Sequence, residues 1–121
     1  MFAMSFFVLV KAHAQSTDTA HLYDPHANAE KDIEAAVKKA KAAHKFVLLQ
    51  AGGNWCSWCL RFNKTVTEDV QLDSVLNANF VVYHLNYSPE NINRDEFAKL
   101  SYPQRFGFPV LVFQGKGLSP T

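Results

Sequence analysis

Apolar residues recur in the middle of the chain with two spacings, one typical of helices and one typical of buried strands. Residues 28–44 place apolar side chains on one helical face and lysines on the other, which predicts an amphipathic helix capped by Asn28 and ending near His44. The apolar run 46–50 predicts a buried strand. Further helices are expected at 56–65, 68–77 and 94–100, and further strands at 80–85 and 110–113. This alternation indicates a βαβ unit with a right-handed crossover and a mostly parallel sheet.

Length and composition indicate one globular domain. The chain has 121 residues, of which 48% are hydrophobic and 13% aromatic, so it can bury a substantial core. Leu72, Val75 and Leu76 are expected to face that core from the helix at 68–77. The formal net charge is +1 with both signs interspersed, which argues against a nucleic-acid partner.

The first fourteen residues have the pattern of a secretory signal peptide. Residues 2–10 are apolar, and Ala12, His13 and Ala14 match the small-x-small sequence that precedes a cleavage point. The run is too short to span a bilayer as a helix, so we expect an exported, periplasmic protein with no stable membrane span. No Lys or Arg precedes the run, and the alternative is an apolar helix or strand of the fold itself. The polar residues 15–27 are expected to form a flexible lead-in.

The two cysteines of the chain lie in one W-C-S-W-C run, residues 55–59, between a predicted strand and a predicted helix. A helix N-terminus offers unpaired N–H groups and a partial positive charge, which favour the thiolate form of Cys56. Cys59 lies one turn further along, on the face that carries Phe62 and Val66, close enough to form a disulfide with Cys56. We therefore predict a redox-active pair in which Cys56 is the exposed, attacking thiol and Cys59 the buried, resolving thiol.

Two other roles for a cysteine pair fit this spacing less well. A structural disulfide across two residues closes so small a loop that it restricts the unfolded chain little. A structural zinc site needs four ligands, and one C-x-x-C supplies two. His44 and His84, the histidines of the predicted domain, fall on a helix end and a strand. We therefore expect no metal.

With these features the chain resembles the thioredoxin superfamily. The resemblance covers roughly residues 28–117 and is carried by the cysteine motif after one strand and by Gly107-Phe108-Pro109 before a later strand. It implies an α/β domain over residues 28–121, with a thioredoxin-like βαβ unit, a partial ββ unit and a central mixed sheet flanked by helices. It also implies that Pro109 is cis and that Phe108 offers its backbone N–H and C=O to an extended substrate. The redox group is then the cysteine disulfide, with no other cofactor.

Three departures from the family pattern bear on the chemistry. Gln50 stands six positions before Cys56, where thioredoxins carry an acid, so a water or a neighbour such as His84 has to move the proton of the buried thiol. The alternative for His84 is an ordinary half-buried strand histidine. The inner pair Ser57-Trp58 replaces Gly-Pro, so the redox direction does not carry over. The family's last strand and helix are missing, so we expect a C-terminally truncated domain with an open sheet edge and a poorly covered apolar face.

The resemblance implies a thiol–disulfide oxidoreductase of the reductase or isomerase type. It would act on the thiols or disulfides of exported proteins and exchange electrons with an upstream redox partner. Trp55, Trp58, Phe106 and Phe108 are candidates, with Pro109, for an apolar rim that receives a protein substrate. Core packing is the preferred alternative for Trp55 and Phe106, whereas Trp58 is expected to be exposed. The competing interpretation is a non-catalytic thioredoxin-like binding module with an inert disulfide.

Overall fold

The structure is a computed structural model that describes residues 21–115. Its elements follow the chain in the order α1 (Ala29–Ala43), β1 (Phe46–Gly52), α2 (Ser57–Glu68), α3 (Val70–Asn79), β2 (Phe80–Asn86), α4 (Arg94–Lys99) and β3 (Val110–Gln114). Each corresponds to a predicted segment, with ends that differ by no more than three residues. The predicted signal peptide, the first part of the lead-in and the residues after 115 lie outside the described residues.

Both ends of α1 are set by the residues that the sequence marked. The side chain of Asn28 accepts a hydrogen bond from the backbone N–H of Lys31 and so caps the first turn. His44 adopts a left-handed conformation, with φ of 56°, and its N–H bonds back to the last turn. The buried face consists of small residues, Ala29, Ala36 and Ala40, which let the helix lie close to the sheet.

β1 is the central strand of a three-stranded sheet with the order β2–β1–β3. It runs parallel to β2, with Gln50 beside His84, and antiparallel to β3, with Gln50 beside Leu111. The sheet is therefore mixed, as the family resemblance implied, because β3 reverses direction after α4. Parallel strands need a long crossover, and α2 and α3 provide it between β1 and β2.

The two faces of β1 serve different purposes. Val47 and Leu49 pack against the buried alanines of α1, and Ala51 joins a cluster with Leu85 and the fully buried Phe97 of α4. Since side chains alternate along a strand, Gln50 and Gly52 lie on the opposite face, where Gly52 meets Cys59 of α2. The clusters covered by α1 and α4 therefore sit on one face of the sheet, whereas the cysteine pair and the buried Leu48 lie on the other.

The prediction that Leu72, Val75 and Leu76 of α3 face the core is largely wrong. Leu72 and Val75 are exposed, and none of the helix's residues is buried. Asp69 ends α2 and caps α3, its side chain accepting from the N–H groups of Gln71 and Leu72, and the helix lies against α2 and β2. Helical spacing predicts which side chains share a face, but the depth to which a neighbouring element covers that face depends on the tertiary packing.

A row of phenylalanines crosses the three strands at the end of the sheet remote from the cysteines. The ring of Phe80 lies 6.2 Å from that of Phe46 and 5.5 Å from that of Phe113, centroid to centroid. Phe46 and Phe113 are exposed. Within residues 21–115, these two rings of the sheet are therefore open to solvent.

Residues 21–27 do not behave as the flexible lead-in that their polar composition predicted. Tyr23 is 2% exposed, and its backbone N–H and C=O both bond to the side-chain amide of Asn54, at 2.9 and 2.7 Å. The side chain of Asn91 donates to the carbonyl of Pro25 at 3.2 Å. These bonds fix the segment on the domain before α1 begins.

Candidate functional site

The cysteine pair stands where β1 passes into α2. The N–H of Cys56 bonds to the carbonyl of Gly53 at 3.0 Å and closes a tight turn between the two elements. Cys56 is the N-cap of α2, and its sulfur accepts the backbone N–H of Cys59 at 3.2 Å. The two residues form a disulfide, with their Cα atoms 5.2 Å apart. The pair therefore occupies the helix N-terminus that favours a thiolate at Cys56.

Both sulfurs are largely covered in this oxidised form. Cys56 is 6% exposed and Cys59 is 1% exposed. The order agrees with the predicted roles, but the prediction that Cys56 is an exposed residue is wrong, because Phe108 and Tyr23 pack around the pair. Cys56 is still the more exposed residue of the two.

The two glycines before the motif make room for the site. A β carbon at Gly52 would collide with the sulfur of Cys59, so the strand can approach the disulfide only without a side chain there. A β carbon at Gly53 would collide with the indole of Trp55 and lie 2.8 Å from the carbonyl of Tyr87. Gly53 thus leaves space for the hydrogen bond between that indole and that carbonyl, at 2.6 Å.

The loop before β3 forms the other wall of the site. The peptide bond between Phe108 and Pro109 is cis. Gly107, with φ of 90°, precedes this bond in a conformation that favours glycine. Phe108 packs on the cluster of Tyr23, Cys56 and Cys59.

Gln50 and His84 lie side by side on the inner side of the site. They are register partners on β1 and β2, so His84 is a neighbour of Gln50 as predicted. Gln50 is buried. His84 is half-buried; its Nε2 lies 3.2 Å from Oδ1 of Asn63, and its ring meets that of Tyr23 edge to face at 5.4 Å. Burial lowers the pKa of His84 below its ordinary value, since the charged ring is poorly solvated there. The histidine is therefore a neutral group near pH 7.

The aromatic rim is more exposed than the sequence predicted. Core packing was the preferred expectation for Trp55 and Phe106, but their side chains are 56% and 73% exposed. The indole N–H of Trp55 finds its acceptor, the carbonyl of Tyr87, at the surface, and this bond holds the ring there. Trp58 is 66% exposed, as expected, with the guanidinium of Arg61 5.2 Å from its ring centroid.

A surface pocket of about 350 Å³ includes Phe108, which packs on the cysteine cluster, although neither cysteine lines the pocket. It lies between α2 and the loop before β3, and it is lined by Trp58, Arg61, Phe62, Thr65, Phe108 and Pro109. Three of the predicted substrate-binding residues thus come together in one pocket. The fourth, Trp55, meets Phe108 edge to face at 5.6 Å.

Three residues of the site were not identified from the sequence. Tyr23 and Asn54 pair behind the disulfide, and Asn63 contacts His84. Leu22 and Tyr23 form the one adjacent pair of large apolar residues in the polar stretch 15–27, which was the available signal for Tyr23. No sequence pattern indicates a role for Asn54 or Asn63, because asparagine is common in turns and on helix surfaces and its tertiary contacts are not visible in the sequence.

Two further findings concern residues 21–115 alone. No group of three or more His, Cys, Asp or Glu side chains in this part of the chain is arranged to hold a metal ion. No helix among the described residues is long and apolar enough to cross a membrane.

A mixed sheet flanked by helices and a C-x-x-C disulfide at the start of a helix are features of the thioredoxin class of fold. A sequence profile described as thioredoxin-like matches residues 28–115, and the chain belongs to this family. Its redox group is the cysteine disulfide, with no external cofactor.

The structure is similar to the crystal structure of disulphide isomerase from Xylella fastidiosa Temecula1. The two share 26% sequence identity and superpose with a TM-score of 0.68, over 75% of this chain and 69% of that chain. No curated protein shows significant sequence similarity to the chain.

Proposed function

We propose that the protein is a thiol–disulfide oxidoreductase of the reductase or isomerase type that acts on protein substrates through Cys56 and Cys59. The observation that carries the proposal is the Cys56–Cys59 disulfide at the start of α2, next to the loop of Phe108 and Pro109. The similarity to a disulphide isomerase supports the same class of reaction.

The reaction follows from the positions of the two sulfurs. In the reduced protein the thiolate of Cys56 attacks a substrate disulfide, forming one S–S bond and releasing one substrate thiolate. The thiolate of Cys59 then attacks Cys56. A bond forms between the two cysteines, the bond from Cys56 to the substrate breaks, and the second substrate sulfur leaves as a thiolate. Two electrons have passed to the substrate, and an upstream dithiol has to return them to the protein.

The substrate surface is the rim and pocket around Cys56. Trp55, Trp58 and Phe108 offer apolar area near Cys56, the more exposed of the two cysteines, which suits an extended or unfolded protein segment. Phe108 has the place before the cis proline that, in the family, presents backbone groups to such a segment. Export is part of the proposal, because the first fourteen residues have the pattern of a signal peptide.

Reduction of insulin by dithiothreitol, followed as turbidity, tests this function. We expect the wild-type protein to accelerate the reaction and Cys56→Ser to abolish the acceleration. The matched variant Cys59→Ser should keep the attacking thiol and accumulate a mixed disulfide with the substrate, visible on a non-reducing gel. If the wild-type protein gives no acceleration and Cys59→Ser traps no adduct, the disulfide is inert and the protein is a non-catalytic binding module. The buried amide of Gln50, in place of an acid, is the observation that favours that alternative.

A further inference from the structure

Tyr23 is the side chain on the inner side of the disulfide that the reaction scheme above does not use. It clusters with Cys56 and Cys59 and is 2% exposed. It comes from the segment before α1, whereas the cysteines come from α2. The hydroxyl of Tyr23 therefore lies near the two sulfurs although the residue is far from them in sequence, and we ask which step of the reaction it can assist.

The phenol hydroxyl and the buried sulfur converge on one point. The hydroxyl oxygen of Tyr23 and the sulfur of Cys59 each lie within 3.0 Å of the position that a β carbon would occupy at Gly52. The two atoms are therefore no more than about 6 Å apart in the disulfide form. No side chain separates them there, since residue 52 is a glycine. When the disulfide opens, the sulfur of Cys59 is released from its bond to Cys56 and becomes a separate acceptor in this space.

The surroundings supply no other charge for the resolving thiol. Among residues 21–115, no carboxylate, lysine or arginine side chain is buried. On β1 the neighbour on this face is the amide of Gln50, on β2 it is the neutral His84, and from the loop before β3 it is the ring of Phe108. The segment before α1 contributes the phenol of Tyr23. A thiolate at Cys59 would therefore be desolvated and without a cation, which disfavours it strongly.

A buried phenol suits the role of donor. Burial raises the pKa of Tyr23 to about 12, so the hydroxyl keeps its proton across the physiological range. A protonated hydroxyl donates a strong hydrogen bond to an anionic acceptor. It cannot act as a base there, so its contribution is to stabilise the thiolate.

We propose that Tyr23 is a positioning residue for the resolving step, whose hydroxyl donates a hydrogen bond to the sulfur of Cys59 when that sulfur is a thiolate. This inference rests on the proposed function, because a resolving thiol has a role only if the disulfide cycles. Tyr23 donates its backbone N–H to Oδ1 of Asn54 and accepts from Nδ2 of Asn54, and these two bonds hold the residue in place; the ring of His84 lies 5.4 Å from the phenol ring, nearly perpendicular to it.

The pKa of Cys59 tests the donor directly. In Cys56→Ser, Cys59 is the single thiol, and the chemical shift of its ¹³Cβ reports its ionisation by NMR. We expect Tyr23→Phe in this background to raise the pKa of Cys59 by about one unit or more, the effect of losing a hydrogen bond to an anion. Asn54→Ala, which frees the segment, should raise it in the same direction.

Tyr83→Phe is the matched control. It also removes a partly buried tyrosine hydroxyl, one that lies 3.1 Å from Asp32 on the α1 side of the sheet. It should leave the pKa of Cys59 unchanged. If Tyr23→Phe lowers the melting temperature but leaves that pKa within the spread of the control, Tyr23 merely fills space and the proposal is overturned.

A second measurement uses the protein with both cysteines. A one-unit rise in pKa cuts the thiolate tenfold but raises its nucleophilicity, so resolution of the mixed disulfide near neutral pH should slow about threefold. The pH profile of that step should shift upward in Tyr23→Phe and not in Tyr83→Phe; an unshifted profile counts against the proposal. The NMR titration does not require turnover. An unchanged pKa of Cys59 would therefore count against this inference, whereas a lack of insulin reduction would count against the proposed function.

Discussion

At the scale of the residue, Gln50 is the position where this chain departs most from the chemistry of its family. Its amide is buried on the face of β1 that meets the disulfide, where thioredoxins carry an acid. An amide donates and accepts hydrogen bonds but does not take a proton. The proton of Cys59 therefore needs another route, and His84 beside Gln50 is the titratable neighbour on the sheet.

Replacing Gln50 with Asp or Glu should change the thiol chemistry more than the fold. A carboxylate behind Cys59 supplies a proton acceptor, so we expect a faster resolving step near neutral pH. Burial without a partner raises the pKa of the new group and destabilises the domain. We expect the melting temperature to fall by about 4–8 °C or more, the shift that ~1 kcal/mol gives at this size.

Stopped-flow resolution of a mixed disulfide and thermal unfolding measure the two effects of that substitution. Gln50→Met is the control, since it keeps the length of the side chain and adds no acceptor. Equal rates in the Met and Asp variants would mean that position 50 does not communicate with the buried thiol.

The sequence predicted the cysteine pair and several of its neighbours, but it did not predict Tyr23 or Asn54. Cys56 and Cys59 were recognised because their spacing and their place at a strand-to-helix junction are local features. Tyr23 was missed because its role depends on Asn54, 31 positions away, which binds its backbone. Trp55 is a rim candidate for which core packing is the preferred alternative, because hydrophobicity predicts burial; its indole N–H is instead satisfied at the surface by the carbonyl of Tyr87. Contacts of this kind are set by the fold and have no local pattern.

At the scale of the element, Asp69 decides how α2 and α3 are joined. It is the single residue between them; its backbone N–H bonds to the carbonyl of Thr65, and its carboxylate accepts from Gln71 and Leu72, at 2.9 and 3.0 Å. The spacing of apolar residues predicts both helices of the crossover, with ends one to three residues from the observed ones. That spacing fades at helix ends, where capping bonds take over.

Asp69→Ala should destabilise the domain by about 1 kcal/mol, because two N–H groups at the start of α3 lose their acceptor. Asp69→Asn keeps a capping oxygen and should lose much less. Urea unfolding followed by circular dichroism gives both free energies. A loss in Asn as large as in Ala would point to the charge of Asp69 and its interaction with the helix dipole, not to the cap.

At the scale of the whole molecule, the half-buried His84 links folding to pH. Its pKa in the folded protein is below the ordinary 6.5, so the unfolded chain binds more protons than the folded one when the pH falls through this range. The contribution of His84 to the free energy of unfolding should therefore be constant above pH 6.5. Below pH 6.5 this contribution should decrease as the pH falls. The decrease stops once the pH passes the folded pKa, and its slope is at most about 1.4 kcal/mol per pH unit.

His84→Gln isolates this contribution, because it removes the titrating ring and retains a group able to bond Asn63. The difference in unfolding free energy between the two proteins, measured by urea unfolding across the acid range, should change with pH in the direction given above. A difference that does not vary with pH would show that His84 titrates alike in the folded and unfolded chains.

The hydrogen bonds between Tyr23 and Asn54 also indicate which residues a transplanted domain has to include. Every helix and strand described here lies within residues 29–114, and a designer who transplants the domain by its secondary structure would start the graft at α1. Such a graft keeps the cysteines, the sheet and the cis proline, but it lacks Tyr23, and we expect water to enter the space next to the disulfide. A graft that starts at residue 21 retains Tyr23 and its packing on the disulfide. Portable versions of this redox centre should therefore be cut eight residues ahead of the first regular element.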